Sequence, residues 1–376
     1  MILTSAKGSA KGLIPLINEP LLGKLPATCS EEHKYPILSK VVCTNKEDCQ
    51  SEIAIYISYI LTEKFGYEVL NVKSEDMMHQ IIDNLIMSTF TLFSHHNNKE
   101  ALQIEFIRNS TSFCYPDFLL YNNNVLVFKG EENPCSDMYN DALGDLSEKF
   151  YILDPVFFGD MKFLICYAVA GWKIGFYAID GMPEAASMPS RLVHLTDVFD
   201  LRLPYHQIKV ISSIINIIRV LLTISPILPT DIIPIGRPLR LQQNSIITFD
   251  YTSVTKEVPI ENLPYADDVN ARVKFLSSMY ACARGCLSLV QVAEDSLTVC
   301  QVGRKKMYQL VMKTRGKRAT PKEELQLKIM TKNVLVGLEC LHEEGFVHRD
   351  IRMPNILYVT SDNPANSSYV LIDFLT

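Results

Sequence analysis

Eight residues near the C-terminal end, "HRDIRMPN" from His348, hold a set of side chains suited to moving a phosphoryl group. Asp350 is placed to accept a proton from a substrate hydroxyl, and Asn355, five residues later, can offer an amide oxygen to a divalent cation. Arg352 can meet the transferring group as a cation. Asp373, on the apolar run "YVLIDF", is the second expected metal ligand. His348 and Arg349 read as scaffold. Upstream, "NARVKFL" reads as an apolar strand with Lys274 inside it, the pattern of a lysine that pairs with nucleotide phosphates. The helix expected after it, around "SSMYACARGCLSL", offers no glutamate to that lysine, and "ENLPYADDVNA" before it has no glycine.

A second set lies in "YPDFLLYNNNVLVFKGEEN". Asp117 opens one strand, Glu131 ends the next, and a short turn at Asn122 to Asn124 can bring those ends together. With Glu52 supplied from a helix, they would make an oxygen-rich site for Mg²⁺. Strand alternation puts Lys129 on the same face as Glu131, while Asn133 stands two residues beyond the acid.

Positioning these groups requires several elements. Ile53, Ile57, Ile60 and Leu61 mark a helix over 47–65, and a second is expected over 76–93. "LQIEFI", "DFLLY", "VLVFKG", "FLICYAVAG" and "KIGFYAID" read as strands, with "DMYNDALGDLSEKF" returning to helical spacing. "VISSIINIIRVLLTISPIL" is long enough to cross a bilayer, but Asn216 and the central Arg219 point to a buried or interdomain helix and against a membrane partner. Thr320, Pro321 and Glu323 predict a capped helix start, and Gly345 its end. The resulting division is a mobile arm (1–40), an α/β or α+β domain (41–205), a connecting helix with a proline-rich linker (206–233) and a second domain (234–376).

The 376 residues are 48% hydrophobic and 21% charged, enough to build two cores, and the net charge of −6 predicts no overall attraction to nucleic acid or anionic lipid. The ten cysteines lack zinc-ligand spacing and read as reduced thiols of an intracellular, cytoplasmic or nuclear protein.

"VHRDIRMPNIL…LIDF" resembles the catalytic segment of protein kinases, and the "PD" followed by acids resembles the restriction-endonuclease-like superfamily. Together with "DALGDLSEKF", the chain is similar to the crinkler-type and fungal-specific protein kinases. That resemblance implies an endonuclease-like domain ahead of a protein-kinase-like N-lobe and a truncated C-lobe. It implies a Ser/Thr phosphotransferase using ATP and Mg²⁺ on a protein substrate. By resemblance Asp350 is the base, Asn355 and Asp373 are metal ligands, and Lys274 contacts phosphate. Here Leu375 follows "DF" where kinases carry glycine, so impaired turnover is expected. Two alternatives accompany it: a pseudokinase-like effector that binds without transfer, and a Mg²⁺-dependent nuclease at Asp117 and Glu131 with some contact to nucleic acid.

Overall fold

In the computed structural model the chain divides into two units, Met1–Pro234 and Ile235–Thr376. The structure describes residues 9–20, 25–26, 42–43, 75–96, 104–108, 116–180, 191–228, 232–241, 244–262, 268–302, 305–359 and 368–374. Glu52 and the helix expected over 47–65 lie outside these residues. The architecture is mixed α and β, with helices packed on two main sheets.

The first unit is organised by strands that bury both faces. Its main elements are α1 (Leu13–Ile17), α2 (Glu75–His96), β1 (Ile104–Arg108), β2 (Phe118–Asn122), β3 (Val125–Asn133), α3 (Tyr139–Glu148), β4 (Phe163–Ala170), β5 (Lys173–Asp180), β6 (Arg191–His194), β7 (Phe199–Asp200) and α4 (Pro204–Ile224). The sheet runs β1-β2-β3-β4-β5-β6, and β7 pairs with β5. The β2–β3 turn uses Asn123 and Asn124 at φ 50° and 67°. Asparagine tolerates that left-handed backbone, which matches the twist of the flanking strands. β3 and β4 run parallel, joined through α3, whereas the other neighbours are antiparallel. Every residue of β2 and β4 is buried, as strands covered on both sides require.

Two expectations change here. Part of the supposed arm is packed: Leu13 and Ile17, four apart, bury one face of α1 against α4. The apolar helix 204–224 belongs to the first unit, where it packs on α2, α1 and β7. It is long and apolar enough to cross a membrane, yet 67% of its apolar window is buried within the fold. Its polar groups are used internally: Arg219 donates to Asn216 Oδ1 at 3.0 Å, and Asn216 Nδ2 donates to the carbonyls of Ile17 and Glu19.

The second unit contains β8 (Leu239–Arg240), β9 (Ile246–Phe249), β10 (Val254–Pro259), α5 (Val269–Cys282), β11 (Val292–Val302), β12 (Lys305–Met312), β13 (Lys317–Arg318), α6 (Glu324–Glu343), β14 (Ile356–Val359) and β15 (Ser368–Leu371). One sheet runs β8-β9-β10-β12-β11, and the other runs β13-β14-β15. The two meet where Val290 N–H donates to Leu371 O at 3.0 Å and Leu371 N–H donates to Ser288 O at 2.9 Å. The shared core includes Leu276, Tyr280, Leu289, Leu310, Leu341 and Leu371.

The stretch "NARVKFL", expected as a strand, is the first half of helix α5. Asp268 decides this locally: its carboxylate accepts from Asn270 N–H at 2.9 Å and Ala271 N–H at 3.3 Å, capping the helix start. Leu276, Met279, Tyr280 and Ala283 then fall on one buried face. The expected capping box at Thr320 is also absent. The α6 helix starts at Glu324, after Glu323 in an extended conformation with no side-chain cap. It ends as expected at Gly345, at φ 80°. Met330, Val334, Gly337 and Leu341 are its buried positions.

Candidate functional site

The HRD segment leaves α6 and returns as β14. His348 is buried, and its ring is fixed at both nitrogens. Nδ1 accepts from Asp350 N–H at 3.3 Å, which makes Nε2 the protonated nitrogen that donates to Ile372 O at 3.0 Å. Burial holds its pKa below the ordinary histidine value, against the opposing pull of Asp373 and Asp350. Asn355 Nδ2 donates to Asp350 O at 2.9 Å and to Asp350 Oδ2 at 2.7 Å, which leaves the amide oxygen as the donor atom for a cation. Ile372 N–H donates to Asn355 O at 2.9 Å, tying the segment that leads to Asp373 to this loop. Arg352 Nε lies 2.9 Å from Asp350 Oδ2, in an ion pair whose arginine is 60% exposed. Arg349 and Asp373 both adopt left-handed backbone, at φ 66° and 69°. That geometry is costly for residues other than glycine and gathers at functional turns. Phe374 follows, stacked on Tyr280 of α5 at 4.9 Å and edge-on to His348 at 5.4 Å.

Lys274 takes no part in this cluster. It lies on an exposed position of α5, because the segment is helical and its buried positions are elsewhere. The lysine at Asp373 is Lys256, on β10, with Nζ 2.8 Å from Asp373 Oδ1. The signal that could have found it is the alternation Val254-Thr255-Lys256-Glu257-Val258 in "SVTKEVPI", where Val254 and Val258 are buried.

In the first unit, alternation along β3 separates the acids. Glu132 shares the α2 side with Arg108, which it meets at 2.7 Å, and accepts from Tyr167 Oη at 2.5 Å. Glu131 and Lys129 face α3. Lys129 is wholly buried and donates to the carbonyls of Leu146 and Lys149 at the end of α3. It therefore serves that helix end and does not reach the acids as the candidate cation. Lys149 takes that place, with Nζ 2.8 Å from Glu131 Oε2 and 3.1 Å from Asp145 Oδ2. Sequence reasoning missed it, although the spacing of four from Asp145 was visible. Asp117 Oδ2 accepts from Glu132 N–H at 2.7 Å. Burial, and then the charge of Asp117, push the Glu131 carboxyl up to about 8, outweighing Lys149. Lys149 in turn is raised by its two carboxylates against its own burial. The burial of Glu131, with Oε1 sealed and unbonded, favours the upward direction.

Among the described residues, no three His, Cys, Asp or Glu side chains gather as a metal cluster. The Asp350, Asn355 and Asp373 set nonetheless has the donor chemistry for Mg²⁺, which binds one or two carboxylates and completes its shell with water and phosphate oxygens.

No protein-family model matches the chain. Among curated proteins it is similar to crinkler effector protein 8 of Phytophthora infestans, with 23% identity over 292 residues. The match covers 76% of this chain and 43% of that protein, so the chain spans under half its relative's length. The relationship is distant and crinkler-like.

Proposed function

We propose that the second unit is a protein-kinase-like, ATP-dependent phosphotransferase module of the Ser/Thr type. The observation that carries this reading is the pairing of Lys256 with Asp373, on a segment that Ile372 N–H ties to Asn355 O next to the Asp350–Asn355 hydrogen bond. In this reading Asp350 takes the proton of the acceptor hydroxyl, and His348 holds the loop to Ile372. Lys256 would neutralise nucleotide phosphate, and Asn355 and Asp373 would hold Mg²⁺, which when bound supplies positive charge to offset that of the phosphates. The α5 helix carries no acidic residue to engage Lys256, which favours slow turnover, or nucleotide binding without transfer in an effector-type protein.

Transfer of radiolabelled phosphate from ATP tests the proposal. Asp350→Ala is expected to lower the rate by about 10²–10⁴-fold, the usual contribution of a general base. Lys256→Ala should weaken Mg²⁺–ATP binding about tenfold or more, whereas Lys274→Ala should leave it unchanged. Transfer that survives Asp350→Ala, or binding that depends on Lys274 and not Lys256, would sink the assignment.

A second reading, for the first unit, is a Mg²⁺-dependent nuclease centred on Asp117, Glu131 and Lys149. The sealed Glu131 Oε1, without a hydrogen-bond partner, is the observation in its favour. Plasmid nicking should vanish with Asp117→Ala and with Lys149→Met, and should persist with the exposed Asp141→Ala; nicking indifferent to the first two removes this reading.

A further inference from the structure

Three thiols gather where the end of α5 meets α6. Cys282 closes α5, Cys286 lies in the turn that follows, and Cys340 is in the last turn of α6. Cys282 Sγ donates to the Cys340 carbonyl at 3.6 Å. The Cys340 thiol hydrogen-bonds to Cys286, and that contact, then burial, raises Cys340 to about 11. All three side chains are partly exposed, within reach of small solutes. The backbone fixes this meeting. Gln291 Nε2 donates to the carbonyls of Ala283 at 2.9 Å, Cys286 at 2.8 Å and Leu289 at 2.9 Å. Its Oε1 accepts from the N–H of Gly285, which sits at φ 84°. Helix α6 presses on the same turn at Gly337, where a β-carbon would stand 2.9 Å from Leu289 Cδ2 and 3.1 Å from Ser288 O. Cys340 is three residues further along that side of the helix.

We propose that Cys286 and Cys340 are a redox-modification site, which a peroxide converts to a reversible disulfide tying the turn after α5 to α6. Cys340 keeps its proton and donates it toward Cys286, so Cys286 is the sulfur that reacts first. Its thiolate attacks one peroxide oxygen and the O–O bond breaks. Cys286 becomes a sulfenic acid, and the released hydroxide takes up a proton. The Cys340 sulfur then attacks the Cys286 sulfur. Its proton passes to the departing oxygen, which leaves as water as the S–S bond forms. The two thiols give up two electrons and two protons, and one hydrogen peroxide becomes two waters. A dithiol reductant reverses the reaction by exchange. Cys282 stays outside the pair because a carbonyl engages its S–H. This chemistry uses no nucleotide and is independent of phosphate transfer.

Peptide mapping of the whole chain, reduced and then exposed to dilute hydrogen peroxide, tests this. The expected result is the loss of two free thiols and a crosslink between the tryptic peptides 285–304 and 333–349. The first peptide also carries Cys300, so the Cys300→Ser chain is mapped in parallel and should give the same crosslink. Dithiothreitol should restore both thiols. Cys282→Ser should leave the crosslink in place, whereas Cys286→Ser and Cys340→Ser should each remove it. In the Cys340→Ser chain dimedone should trap a sulfenic acid at Cys286. Circular dichroism checks that each variant folds, and the wild-type map stands without them. A thiol count unchanged by peroxide, or a crosslink that uses Cys282 or Cys300, would overturn the proposal. So would a crosslink that survives Cys286→Ser.

Discussion

Glu131 shows how a single residue's surroundings set its chemistry. Its carboxyl is buried, faces Asp117 and touches Lys149, and the net effect lifts its pKa from 4.5 to about 8. A carboxyl raised in the folded state binds protons more tightly there than in the unfolded chain. Its contribution to stability is full below about 4.5 and is lost as pH rises through about 8. Glu131→Gln should therefore flatten the pH dependence of the first unit's melting temperature across that window, with a gain on the order of 1–3 kcal/mol at the alkaline end. An unchanged profile would show that Lys149 keeps the group ionised. Lys129 illustrates the opposite balance: burial lowers it to about 8, and two backbone carbonyls satisfy what charge it keeps. Its strand parity was legible in the sequence, but its partners were not. They belong to a helix end whose position depends on how α3 crosses the sheet.

At the level of elements, close approach is what the sequence conceals. A β-carbon at Gly130 would overlap the Tyr167 ring. That ring cannot yield, being packed against Phe118 and Phe128 and bonded to Glu132. Gly130→Ala should cost about 1–3 kcal/mol in thermal unfolding, and a neutral result would show that the β3–β4 contact relaxes. Strands β2 to β5, α3 and α6 were readable because their periods and turn residues agree: paired asparagines, Gly171 and Gly345 each sit at positive φ. Lys274 was misplaced because Val273 and Phe275 flank it as in a strand, whereas the cap at Asp268 and the buried residues from Leu276 onward impose a helix. Once that segment turned helical, the cation had to come from β10. The alternation around Lys256 was visible in the sequence, on a strand that pairs on both sides. The HRD and Asp-Phe groups were legible as residues, but the left-handed backbone that aims Asp373 was not.

Across the whole molecule, the two units each have a core of their own, one centred on β2 to β5 and the other on α5, β12 and β15. Calorimetry should accordingly resolve two transitions. Gly130→Ala should move one and Phe374→Ala the other, the latter by about 3–5 kcal/mol of lost aromatic packing. A single transition shifted by either change would show that the units unfold together. The net charge of −6 fits a protein whose binding is set by local sites and not by overall attraction to polyanions. Phe374 carries the widest implication. Its ring is gripped by Tyr280 from α5 and by His348 from the loop, one residue beyond the carboxylate that Lys256 holds. Helix and carboxylate are thus geared together, so anything that levers α5 sideways must also swing Asp373. On the phosphotransferase reading proposed above, a compound wedged behind that helix would displace Asp373 and slow transfer without touching Lys256.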